Sequence, residues 1–149
     1  MKRISLILLL ILTLFLTSCT SIKTTDSSKK FCEYIYDISR GEIKRGAVID
    51  LRDLETEYAK GHIHGALSYN FKNQEQSHFT TWITGLKSTD TQILLIDSGC
   101  CEHETIMNYL KEAGYKKVLA YTLGYDVLSK TEEFKTMVEV KTGTDDCGC

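Results

Sequence analysis

The chain has 149 residues, enough for one domain and too few for two. Charged residues make up 26% and the apolar set 42%, a balance that excludes wholesale disorder. The formal net charge is -2 and no stretch of the domain is strongly basic, so nucleic-acid binding has no electrostatic footprint.

The N-terminus bears on the compartment. Lys2 and Arg3 precede an apolar run over residues 4–16, broken only by Ser5 and Thr13. That run is shorter than the roughly 20 apolar residues that span a bilayer, and it reads as a secretory signal. Leu16-Thr17-Ser18-Cys19 is similar to the bacterial lipobox, in which the Cys is acylated and becomes the new N-terminus. The expectation is a signal peptide over residues 1–18, a lipid of the palmitate type on Cys19, and a domain held at a membrane of the cell envelope, outside the cytoplasm. Loss of Lys2 and Arg3 with the signal takes the net charge from -2 to -4.

Residues 19–30, rich in Ser, Thr and Lys, read as the lipidated Cys and a flexible tether. Beyond it two kinds of segment alternate. Residues 31–39 carry Phe31, Tyr34, Ile35 and Ile38 at helical spacing. Residues 47–51 form a buried strand, and 55–60 a helical turn stopped by Gly61. Residues 67–71 suit a short strand, and 75–86 a helix bearing Phe79, Trp82, Ile83 and Leu86. The run QILLID, 92–97, is a continuous apolar strand. Residues 102–113 are helical with Gly114 as the stop. Residues 117–122 (KVLAYT) make another buried strand, and 125–130 a short helix. Strands apolar on both faces, separated by helices, predict an α/β fold: a small three-layer parallel sheet with helices on both faces. Ligand sites in such sheets lie beyond the carboxyl ends of the strands. That directs attention to residues 50–52, 121–125 and above all 97–103.

Three segments together resemble the rhodanese-like family. VIDLRDLETEYAKGHIHGALSYNF, residues 48–71, is similar to the family's strand, Asp-x-Arg, Glu-Tyr and Gly-His-Ile-x-Gly-Ala motif, with His64 where proline is usual. The second segment is the QILLID strand, a tight loop and a helix ending at Leu110 and Gly114. The third, residues 118–128, is similar to the closing strand, Gly-Gly turn and short helix, with Leu123 for the first glycine and Leu128 for a tryptophan. The match spans residues 31–130 and leaves 131–149 as an extension ending Cys147-Gly148-Cys149. By this resemblance Asp50, Arg52, Glu57, Gly61, His62 and Gly65 are architectural, with His62 holding its turn by hydrogen bonding.

Members that transfer sulfur carry a Cys after the central strand, where loop N–H groups and a helix N-terminus cradle the persulfide and an Arg often closes the loop. The same register places Asp97 at the nucleophile's position and Glu102 at that of the Arg. A carboxylate cannot carry a transferable sulfur. Asp97 is expected to accept the loop N–H bonds itself, closing the cradle to anions.

The loop Asp97-Ser98-Gly99-Cys100-Cys101-Glu102-His103 still offers two thiols. They read as incidental, as a displaced nucleophile or redox pair at a helix N-terminus, or as soft-metal ligands together with Cys147 and Cys149. Cys32 reads as a buried inert thiol. His64 is expected to be exposed, and His78 and His103 are lone histidines. The leading expectation is a lipid-anchored binding or scaffold module without cofactor or standard sulfurtransferase activity, its protein or small-molecule partner unidentified. A divergent sulfur carrier or thiol-redox protein and a soft-metal binder are the alternatives.

Overall fold

The computed structural model describes residues 21–70 and 75–144. The signal segment, Cys19, Thr20, Phe71, Cys147 and Cys149 lie outside the described residues. Among the described residues no helix is long and apolar enough to cross a membrane.

The elements in chain order are β1 (Ser21–Thr25), α1 (Ser28–Ser39), β2 (Gly46–Asp50), a 3-10 turn (Tyr58–Lys60), β3 (His62–Ile63), β4 (Leu67–Ser68), α2 (Gln76–Leu86), β5 (Gln92–Ile96), α3 (Glu102–Glu112), β6 (Lys117–Tyr121), α4 (Tyr125–Leu128), α5 (Glu132–Met137) and β7 (Val140–Lys141). Five strands form one sheet in the order β1-β6-β5-β2-β4, every pair parallel. A small antiparallel ribbon joins β3 to β7.

The three layers follow from strand periodicity. Alternate residues of a strand face opposite sides, so an unbroken apolar run feeds two cores at once. Val48, Leu94, Ile96, Leu119 and Tyr121 pack with Phe31 and Ile35 of α1, Leu128 of α4 and Phe134 of α5. Ala47, Ile49, Ile93, Leu95, Val118 and Ala120 pack with Phe79 and Ile83 of α2 and Ile106 and Leu110 of α3. Each large apolar side chain buried this way contributes about 1.5–3 kcal/mol.

Two expected boundaries are corrected. The segment read as a tether is structured from Ser21 onward: β1 pairs with β6 from Ser21↔Lys117 to Thr25↔Tyr121. Helix α1 begins at Ser28, capped by the Ser27 hydroxyl accepting from the Lys30 amide at 3.3 Å. Polar composition suggested a coil, yet an edge strand with half-exposed faces tolerates Ser, Lys and Thr, and Thr favours the extended backbone. The extension after residue 130 also joins the fold. Phe134 of α5 is buried against the first core, and β7 pairs with β3. The predicted turn over 55–60 narrows to the 3-10 turn, and the described part of the strand over 67–71 is Leu67–Ser68.

The register of β1 yields a test. The Ser21 amide donates to the Lys116 carbonyl, so by strand alternation the Lys23 amide also faces β6 and the Thr24 amide faces the open edge. Lys23→Pro should lower stability by about 3 kcal/mol in urea unfolding, and Thr24→Pro by clearly less. A coil would tolerate both equally.

Candidate functional site

Asp97 is the first residue beyond β5 and is completely buried. Its Oδ1 accepts the Gly99 amide at 2.7 Å. Its Oδ2 accepts the His103 amide at 3.1 Å and the His103 Nδ1–H at 2.7 Å. Its main-chain carbonyl accepts the Tyr125 amide at 2.8 Å. One residue thereby ties β5 to the first turn of α3 and to the start of α4. Charge-assisted hydrogen bonds of this kind contribute about 1.5–3 kcal/mol each.

Loop 97–101 lies directly on the turn before α4. Gly124 has φ +80°, and a Cβ there would come within 2.6 Å of the Gly99 nitrogen and the Ser98 carbonyl carbon. Only glycine satisfies both the left-handed backbone and the close approach. Gly99, at φ +89°, faces the Leu123 carbonyl from the other side. The loop ends at Cys101, whose φ of +72° is the one positive value at a non-glycine among the described residues. A left-handed non-glycine costs about 1–2 kcal/mol, and the chain accepts it while turning from the buried Asp97 into α3.

The thiols are placed differently from the carboxylate. Cys100 and Cys101 are both exposed, with the Ser98 hydroxyl 3.8 Å from the Cys100 sulfur. Neither occupies the floor of the loop. Glu102 and Glu104 stand in the first turn of α3, where carboxylates favour the helix dipole. Cys32 is buried in the first core, and burial pushes its thiol pKa up to about 11, with Glu133 adding to the effect. Among the described residues no group of three or more His, Cys, Asp or Glu is arranged to hold a metal.

A second constellation surrounds Arg52. Its guanidinium is bound to Asp50 by Nε–Oδ1 at 2.9 Å and Nη2–Oδ2 at 2.6 Å, with both side chains buried. Nη2 also donates to the Gly61 carbonyl at 2.8 Å, which fastens the turn to the end of β2. The guanidinium lies 3.5 Å from the centre of the Tyr125 ring, a cation–π stack. Beside it opens a cleft of about 660 Å³ lined by Arg52, Lys60, Tyr125, Asp126, Phe134 and Lys135. His62 is buried, its ring stacked on Tyr58 at 3.8 Å and its Nδ1 3.1 Å from the Tyr58 carbonyl. The Glu57 carboxylate accepts the Asp53 amide at 3.3 Å, and Gly65 turns at φ +73°. His64 is exposed with Nδ1 3.2 Å from Glu139. His78 lines a separate, mostly apolar cleft of about 620 Å³ with Tyr69 and Trp82.

The family model described as Rhodanese-like domain matches residues 35–131. The chain belongs to the rhodanese-like domain family. No curated protein sequence matches it. Among solved structures, the rhodanese-like fold resembles the Alr3790 protein from Anabaena sp., with TM-score 0.58 and 15% identity over 75% of this chain and 90% of that one. It also resembles the Rhodanese_3 like domain of the Alr3790 protein, with TM-score 0.51 and 19% identity over 65% and 92% of the two chains. A thiosulfate sulfurtransferase from Pseudomonas aeruginosa matches with TM-score 0.51 and 19% identity, over 73% of this chain and 19% of that chain. At these identities the likeness shows the shared fold.

The rhodanese-like loop thus carries Asp97 at its floor, and His103, which the sequence placed in the loop as a lone histidine, is its hydrogen-bond partner. Sequence offered only the i, i+6 spacing of Asp97 and His103 across a helix start, a weak signal. The stacking of Tyr125 on Arg52 was also hidden, since the two are far apart in the chain and meet only when β2 and β6 lie in one sheet.

Two measurements follow from this geometry. Gly124→Ala should cost at least about 2 kcal/mol by strain and displacement of loop 97–101, seen as a lowered urea midpoint. Iodoacetamide on the native protein at pH 8 should modify Cys100 and Cys101 and leave Cys32 unmodified until denaturation, because burial keeps that thiol protonated.

Proposed function

We propose that this rhodanese-like domain is a lipid-anchored module at the cell envelope that binds a partner and does not transfer sulfur. One observation carries the reading: the position after the central strand holds a buried carboxylate that already accepts two loop amides and the His103 ring N–H. An incoming thiosulfate or persulfide would have to displace that carboxylate and lie beside its charge. Charge repulsion and the lost hydrogen bonds both oppose this. Glu102, standing where relatives often place an Arg, adds a second negative charge. The lipobox-like run ending at Cys19 supports the anchoring part of the proposal. The reading calls for no cofactor.

A second reading is favoured by the exposure of Cys100 and Cys101 at the edge of the same loop. Adjacent accessible thiols can take part in thiol–disulfide exchange, and that would make the domain a redox or sulfur-carrier protein. The soft-metal alternative needs Cys147 and Cys149 as well, and both lie outside the described residues.

A thiosulfate:cyanide sulfurtransferase assay on the purified protein should give no rate above background. A measurable turnover that disappears in Cys100→Ser or Cys101→Ser would favour the second reading. The double variant Asp97→Cys with Glu102→Arg should gain thiosulfate binding or sulfur transfer, because it empties the cradle of carboxylate and restores a basic residue to its rim. Absence of any gain in a folded double variant would show that loop shape, not charge, blocks the chemistry.

A further inference from the structure

We propose that the end of the sheet where the strands begin is a membrane-docking face for a bilayer with anionic headgroups. Loop 97–103 then points away from the lipid. The inference rests on the acylation of Cys19 put forward above and adds an orientation to it.

The chain between the lipid and the fold is very short. The Ser21 amide already donates to the Lys116 carbonyl at 2.6 Å, and Ser21 is in register with Lys117. Cys19 stands two residues earlier, and two residues span at most about 7 Å. An acylated Cys19 therefore brings the bilayer surface to the start of β1. The tether that would let the domain turn freely is a strand of the sheet.

All five strands of the sheet are parallel, so Ser21, Gly46, Gln92 and Lys117 begin at this same end. Its charge is suited to anionic lipid. Lys44, Arg45 and Lys117 line a shallow depression of about 470 Å³ together with Ile43, Asp90 and Gln92. Arg45 is paired with Asp90, and Arg40 with Glu42 at 3.7 Å. Lys44, Lys116 and Lys117 are exposed and form no ion pair with the described residues. Leu86, 44% exposed, closes α2 at this end and offers an apolar contact.

The opposite end also carries bases, Lys29 and Lys30 at the start of α1 and Lys60 beside the cleft, but carboxylates outnumber them there. Its loops after β1 and β2 expose Asp26 and Glu55 and hold Asp53 and Glu57 half-buried, and Asp126 is exposed at the start of α4. Anionic headgroups attract the first end and repel the second, so electrostatics and the short link select the same orientation. A five-residue strand is about 16 Å long. The Asp97 loop and the Arg52 cleft are thereby held roughly that far above the lipid, open to a partner in the aqueous phase.

The test uses the full chain, processed and purified in detergent, then placed in vesicles of equimolar phosphatidylglycerol and phosphatidylcholine or of phosphatidylcholine alone. Intact mass spectrometry first reads the lipid on Cys19. Absence of the acyl mass overturns the anchoring reading independently of the orientation. With acylated protein, hydrogen exchange should slow in residues 40–46, 86–92 and 112–118 on the anionic vesicles only, and stay unchanged in 97–103 and 122–126. A lysine near an anionic surface contributes about fivefold to the docked population, so Lys44→Gln, Lys116→Gln and Lys117→Gln together should lower the docked-to-undocked ratio on the order of 100-fold. Protection centred on 51–61 or 97–103, equal protection on neutral vesicles, or protection of these segments only when a soluble acidic protein is added would overturn the docking face.

Discussion

A buried carboxylate with both oxygens occupied is the constraint on which the functional end of this domain depends. Asp97 sits where β5 stops and three elements must be joined: the strand, α3 and the turn before α4. Water cannot reach it, so the Gly99 and His103 amides and the His103 ring N–H are its solvation. Its main-chain carbonyl carries the Tyr125 amide, and Gly124 lets the neighbouring turn come close enough for that bond. The positive φ of Cys101 is part of the same arrangement, since the chain must leave the floor of the loop and start a helix within a few residues.

The same geometry separates carboxylate from sulfur. In a loop built to hold an anion, the amides converge on whatever sits at the floor. Here that group is part of the chain. The two thiols three and four residues later are carried outward to solvent, and the thiol of Cys32 is enclosed in the first core, where burial keeps it protonated. The domain thus retains the scaffold of a sulfur-handling family and places its own charge at the centre. Arg52 directs its donors to Asp50 and Gly61 and its face to Tyr125, so this guanidinium holds the turn over 58–61 in place.

Charge is distributed along the strand direction. The loops entering the strands carry exposed Lys44, Lys116 and Lys117 and pair their acids Glu42 and Asp90 with Arg40 and Arg45, whereas in the loops leaving the strands carboxylates outnumber Lys29, Lys30 and Lys60. This follows no helix or strand periodicity and is invisible in the net charge of the chain. It becomes meaningful only because every strand of the sheet points the same way.

Much of the architecture was legible in the residues themselves. The runs at 47–49, 93–96 and 118–121 are apolar at every position, and strands apolar on both faces must be covered on both sides, which points to a parallel sheet between helical layers. The placement of Asp97 after the central strand was equally legible, because a strand end and a helix start bracket it. The first strand was not, since Ser-Ile-Lys-Thr-Thr is written for an edge whose partner, β6, lies about a hundred residues away. Nor was the role of residues 131–141, whose anchor, Phe134, has meaning only against α1. Local periodicity and composition determine which segments become helices and strands and which faces are buried. The pairing of Asp97 with His103, the stack of Tyr125 on Arg52 and the gathering of lysines at one end depend on contacts between distant segments, and only the tertiary structure decides those.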